Sequence, residues 1–274
     1  MDPSETAGSS PGRDKERDAP VEVHTEHETS ARIGIVRFSR GRNNYLSPEL
    51  LSAICDAYDE LVAAGARALV LVSSARHFCA GADFSTPDPG RPDQRSSQIY
   101  DVVPRLFRST VPVVAVIDGA VIGGGLGLAL SCDFRIAGPR ARLSASFARL
   151  GAGPGFGLTV TLPRLVGIQQ TSALLYTGRR IDGARAAAMG LCDDYVPDGA
   201  IVEESARALA REIAASAPLA VATIRTLLRS GLADEVTNAL ILERELQRPL
   251  YRTRDFREGV RAAREKRFPQ FHGE

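Results

Sequence analysis

Short apolar runs and helical stripes alternate along most of this chain. Within residues 21–38, Val21 and Val23 on one side and Ile33, Ile35 and Val36 on the other flank a polar stretch, the pattern of a β-hairpin. Ser47 then offers an N-cap hydroxyl and Pro48 suits the first helical position. Leu50, Leu51, Ile54, Tyr58, Leu61 and Val62 recur at helical spacing until Gly65 stops the segment. Residues 68–72 and 111–117 are apolar runs of strand length, with a helical stripe at Ile99, Val102, Val103, Leu106 and Phe107 between them. Strands without a polar face, separated by helices, are what a largely parallel sheet covered on both sides requires, so the fold class predicted is α/β. From Asp182 onward helical spacing prevails, over 206–215, 221–228 and 240–250 and a charged stretch at 256–267. Residues 1–20 hold almost nothing to bury and read as a disordered leader. The organisation expected is this leader, a core over 21–195, and a helical C-terminal region over 196–274, packed on the core or on a neighbouring subunit.

Composition narrows the function more than the fold. Of 274 residues, 44% are hydrophobic and 24% charged, with a net charge of +1, which favours neither a nucleic-acid partner nor a membrane. No apolar run reaches bilayer length and no basic-then-apolar signal opens the chain, so a cytoplasmic protein is expected. Cys55, Cys79, Cys132 and Cys192 stand apart without a CxxC pair, and His24, His27, His77 and His272 are equally scattered. Neither a metal site nor a disulfide framework is predicted.

Candidate chemistry lies where glycines follow strands, in the run from Phe78 to Asp83 and in the run from Asp118 to Gly127. Ligands of open α/β sheets bind outside the carboxyl ends of strands, and glycine lets a bare backbone N–H approach them. Tight strand-to-helix packing is the competing reading of any one such cluster; two clusters at neighbouring strand ends favour a ligand site. GxGxxG does not fit the spacing of Gly123, Gly125 and Gly127, and neither GxxxxGK[ST] nor GxSxG occurs, which removes dinucleotide, P-loop and hydrolase-elbow readings.

The residues of these loops and three further segments resemble the crotonase superfamily, the enoyl-CoA hydratase/isomerase family, over about 33–271. Ser74-Ala75-Arg76-His77-Phe78-Cys79-Ala80-Gly81-Ala82-Asp83 looks like its first oxyanion loop, and Val116-Ile117-Asp118-Gly119 through Gly127 like its second. Ser131 to Ala137, Leu162 to Gly167, and Asp255 to Gly259 followed by Glu265 to Pro269 match later family segments. The resemblance implies a spiral of ββα units, a helical trimerisation region, a homotrimer or dimer of trimers, and an acyl-CoA or acyl-carrier thioester as ligand. Coenzyme A is then part of the substrate and no separate cofactor is expected. By similarity, the amides of Ala82 and Gly124 bind the thioester oxygen, Arg42, Asn43, Ala80, Ala82 and Lys266 meet the nucleotide portion, and Phe84, Gly127, Phe147 and Gly155 line the acyl pocket.

One departure bears on mechanism. Family hydratases add water with two glutamates, and their positions here are Gly127 and Phe147; a third position, aspartate in some isomerases, is Gly155. None of the three transfers a proton, so two-glutamate hydration is disfavoured. Replacement acids or bases are sought in Asp118, Tyr100 and His77, with Asp101, Asp133 and Tyr251 behind them. Turn-fixing, helix-surface and packing roles compete for all six. The expectation is a lyase- or isomerase-type thioester enzyme that stabilises an enolate or oxyanion. A non-catalytic acyl-CoA-binding or assembly protein, and a thioester hydrolase or decarboxylase, remain as alternatives.

Overall fold

The computed structural model describes residues 19–84 and 92–274, without the side chains of 92–97, so the predicted leader lies almost wholly outside the described residues. Strands β1 (Val21–Glu28) and β2 (Ile33–Arg40) form the expected antiparallel hairpin, with Val21 opposite Arg40 and Glu28 opposite Ile33. Helix α1 (Pro48–Ala63) starts where the cap chemistry placed it, the Ser47 hydroxyl accepting from the Leu50 amide at 3.2 Å. It leads into β3 (Ala68–Ser73), after which α2 (Pro92–Leu106) crosses to β4 (Val113–Ile117).

Beyond β4 the elements shorten. β5 (Ala120–Ile122), α3 (Gly124–Ser131), β6 (Phe134–Ala137) and β7 (Arg142–Ser144) precede α4 (Leu158–Thr177), β8 (Ile181–Asp182), α5 (Gly183–Ala188) and β9 (Asp194–Tyr195). The main sheet has six strands in the order β1-β2-β3-β4-β6-β9, parallel from β2 onward; β5, β7 and β8 form a second, smaller sheet.

Side-chain alternation along the parallel strands makes two cores. Phe38, Leu69, Leu71, Ala115 and Ile117 pack with Leu50, Leu51 and Ile54 of α1 on one face. Ile33, Ile35, Val70, Val114 and Ile136 pack on the other with Ala206, Ala210 and Ala214 of α6 (Val202–Ala215). Burying both faces explains the unbroken apolar strands, and each Leu or Ile so removed from water contributes about 1.5–3 kcal/mol. Small alanines on α6 let that helix lie close to the sheet.

The remaining helices are α7 (Pro218–Leu228), α8 (Leu232–Leu250) and α9 (Arg254–Glu265). The predicted segment at 240–250 is thus the second half of a longer helix, whose first turn carries Asp234 and Glu235, and α8 packs against α2 and α4. α9 ends at Lys266 with φ 54°, a left-handed C-cap that the 256–267 pattern did not anticipate. Among the described residues no helix is long and apolar enough to cross a membrane. The family-like segment Ser131 to Ala137 is scaffolding. The buried Arg135 guanidinium donates to the carbonyls of Leu191 and Cys132 and to the Asp193 carboxylate, at 2.9, 3.0 and 2.9 Å.

Candidate active site

The two glycine-bearing loops meet at the carboxyl ends of β3 and β4. Cys79 and Val121 form a parallel bridge, with the Cys79 amide donating to the Ala120 carbonyl and the Ile122 amide to the Cys79 carbonyl, each at 3.0 Å. Two glycines make the approach feasible. Gly81 has φ +84°, and a Cβ there would fall 2.5 Å from the Ile122 oxygen; at Gly125 a Cβ would fall 2.2 Å from the Cys79 oxygen. Buried Asn44, at φ 48°, fixes the first loop by donating to the carbonyls of His77 and Phe78 at 3.0 and 3.1 Å.

Gly124 is the first residue of α3, so its N–H has no carbonyl one turn back to bond. Neither it nor the Ala82 amide donates a hydrogen bond to any described residue. Both residues line one cavity of 80 Å³, with Leu46, Phe84, Ile99, Phe147 and Phe156 as hydrocarbon wall. Apart from Ser146, the polar side chains at this wall are Tyr100, Gln247 and Tyr251. Burial holds the Tyr100 phenol well above its ordinary pKa, so it is neutral at any physiological pH.

Of the residues singled out by sequence, Ala80, Ala82, Phe84, Tyr100, Gly124, Phe147, Gly155 and Tyr251 border this cavity. Gly127 requires correction: it lies behind Phe156 rather than on the wall, and a Cβ on it would come within 2.4 Å of the Phe156 ring. Gly155 is closed differently, since a Cβ there would stand 2.0 Å from the Tyr100 hydroxyl and 2.8 Å from the Gln247 amide nitrogen. Gly127 is thus covered by the Phe156 ring, Phe147 contributes its own ring to the wall, and Gly155 faces the Tyr100 phenol.

Asp118 and His77 also require correction as acid–base candidates, because other groups engage them and neither borders the cavity. Asp118 accepts from the Arg140 backbone N–H and guanidinium at 3.1, 2.8 and 2.6 Å. The His77 Nδ1 accepts from the Ala120 amide at 3.2 Å, which locks one loop to the other. Asp133 accepts from the Val113 amide at 2.9 Å and pairs with Arg225 and Arg229 of α7, each at 3.0 Å. Asp101 approaches only Arg244, at 4.0 Å. Toward a nucleotide, Arg42 is exposed, Asn43 offers its carbonyl to the Ala80 amide at 3.0 Å, and Lys266 stands exposed at the end of α9.

Sequence reasoning missed Asn44, Glu243 and Gln247, whereas Phe156, in the run Gly153 to Gly157, reads from sequence as pocket wall or core and lines the cavity. Phe156 is fully buried at φ 63°, a conformation a bulky side chain adopts only when its surroundings impose it. The imposing group is Glu243 of α8, whose carboxylate accepts from the Gly157 amide at 2.9 Å and from the Thr159 hydroxyl and amide at 2.7 and 3.3 Å. Burial pushes the Glu243 carboxyl up, against the opposing pull of these hydrogen bonds. The buried thiol of Cys79, one residue before the cavity wall, is pushed up to about 12 and offers no nucleophile.

Known proteins of the same kind share this architecture. The chain is 36% identical over 206 residues to the bovine enoyl-CoA hydratase domain-containing protein 2, mitochondrial, covering 72% of this chain and 69% of that one. It is 31% identical over 264 residues to the mouse mitochondrial methylglutaconyl-CoA hydratase, covering 92% and 84%. The crystal structure of an enoyl-CoA hydratase from Mycobacterium avium superposes with a TM-score of 0.79 at 26% identity, over 90% of this chain and 97% of that one. Residues 28–274 match the family description "Enoyl-CoA hydratase/isomerase", and with two glycine loops meeting at one small apolar cavity, the chain belongs to the enoyl-CoA hydratase/isomerase family.

Proposed function

We propose that this protein binds a short acyl thioester of coenzyme A, placing the thioester oxygen against the amides of Ala82 and Gly124, and stabilises the enolate or tetrahedral oxyanion formed there. The observation that carries the reading is that both amides border one cavity and neither has an acceptor among the described residues. Preorganised donors in a water-poor site need no reorganisation when charge develops, and removing one costs about 3–4 kcal/mol of barrier lowering. A cavity of 80 Å³ suits a short acyl group better than a long one.

Ordinary hydration is not the reaction proposed, since among the described residues no carboxylate borders the cavity to activate water. Decarboxylation suits it better: the bond from the α-carbon to a departing carboxylate breaks, its electron pair enters the thioester enolate, carbon dioxide leaves, and a proton returns to the α-carbon. Isomerisation through the same enolate is the other transformation of this type. The coenzyme arrives with the substrate, its nucleotide portion meeting Arg42, Asn43, Ala80 and Lys266. The same missing carboxylates favour a second reading, a thioester-binding subunit that turns nothing over.

Titration with butanoyl-CoA, followed by incubation with crotonyl-CoA and 2-carboxyacyl-CoA thioesters under absorbance and mass detection, separates these. Binding with loss of carbon dioxide supports the first reading, binding without turnover the second, and hydration of crotonyl-CoA at rates typical of hydratases contradicts both. Ala82→Pro removes one donor and is expected to lower turnover about 10²–10³-fold in a folded protein.

A further inference from the structure

The far side of the cavity carries a hydrogen-bonded group in which one bond, donated by Tyr100, is long. The Gln247 side-chain nitrogen donates to the Pro154 carbonyl, an acceptor only, and this fixes which way the amide points. Its oxygen is thereby turned to the Tyr251 hydroxyl, which donates to it. The second hydrogen of the same nitrogen goes to the Tyr100 oxygen at 3.1 Å. Tyr100 thus receives a hydrogen bond, while its own proton makes a long one, 3.3 Å, to the Gln247 oxygen that also accepts from Tyr251, a bond that a better-placed ligand oxygen can replace.

We propose that Tyr100 is a specificity-determining donor, oriented by Gln247, for an uncharged carbonyl oxygen on the acyl chain, so that 3-oxoacyl thioesters are preferred over plain acyl thioesters. The inference rests on the acyl-thioester reading above. A group of the size the cavity admits, anchored at the Ala82 and Gly124 amides, has its remaining atoms within the space that Tyr100 borders. A carbonyl accepts without donating, which matches a wall that offers a proton. A carboxylate placed against Tyr100 itself would bring charge to a part of the wall where, among the described residues, no side chain carries a cation.

The experiment compares binding of 3-oxobutanoyl-CoA and butanoyl-CoA to the wild type, Tyr100→Phe and Gln247→Met, by calorimetric titration. The wild type is expected to bind the 3-oxo compound the more tightly by about three- to tenfold, Tyr100→Phe to bring the ratio of the two dissociation constants to about one, and Gln247→Met to reduce it. Gln247→Met keeps the phenol and disturbs only its orientation, so it carries the test if Tyr100→Phe does not fold. Equal binding of the two thioesters by the wild type, or a preference that survives both substitutions, overturns the inference while leaving the acyl-thioester site intact. Failure of the wild type to bind either compound overturns both.

Discussion

Phe156 is where a side chain and its surroundings conflict and the surroundings prevail. A buried non-glycine residue at φ 63° costs about 1–3 kcal/mol in backbone strain, and the Glu243 carboxylate, with its three donors at Gly157 and Thr159, offsets it. Removing that carboxylate leaves the donors unmatched in a buried turn. Glu243→Ala is expected to lower stability by about 1–3 kcal/mol in urea unfolding, and to weaken butanoyl-CoA binding as Phe156 leaves its place at the cavity wall. Gly127→Glu is expected to destabilise by about 1–3 kcal/mol through overpacking, because Phe156 already occupies the space, and to yield no crotonyl-CoA hydration in the absorbance assay.

At the scale of elements, the sequence was most informative where the determining contacts are local. The hairpin follows from short apolar runs flanking a polar stretch, β3 and β4 from unbroken apolar runs, and the capped start of α1 from Ser47 with Pro48, each determined within a few residues. The same holds for the loops at Gly81 and Gly124, since a glycine at a strand end reports its own backbone. The start of α8 at Leu232 was not legible, because the acidic first turn hides the apolar stripe that begins only at Val236. Gln247 and Glu243 were illegible for a related reason. Each is a polar residue on a helix, and its partners at Tyr100 and Gly157 lie 147 and 86 positions away in the chain. Nothing in their neighbourhood announces burial. The C-terminal tail illustrates a contact with a pH signature. Glu258 of α9 accepts from Arg267, the Gln270 amide and Arg261, and these hold its carboxyl far below the usual range, the Arg267 bond foremost. A folded-state pKa below the unfolded one contributes stability that is present above the ordinary carboxylate range and lost as the pH falls through it toward the folded value. Hydrogen exchange is expected to show residues 266–274 loosening on acidification before the main sheet does, and Glu258→Gln to loosen them at neutral pH.

For the whole molecule, the apolar surface matters as much as the core. Leu219, Leu227 and Leu228 of α7 are 84, 71 and 83% exposed, and Leu242 and Leu246 of α8 add to the surface. α7 is held to the body through Arg225 and Arg229, which meet Asp133 beside the start of β4. An exposed apolar surface of this kind is one that packing against another copy of the chain would cover. Light scattering is expected to give a multiple of the chain mass, and Leu227→Glu with Leu228→Glu to reduce it; a monomeric wild type contradicts the expectation.

The crowding around Gly127 and Gly155 also constrains how this protein can change over time. Gly127 is blocked by Phe156, Phe156 is held by Glu243, and Gly155 faces a phenol that Gln247 holds in turn. A side chain added at either glycine lowers stability before it can alter the cavity. Variation that keeps the chain folded is therefore steered away from these two positions and toward the polar residues of α2 and α8, where one substitution alters what the cavity accepts.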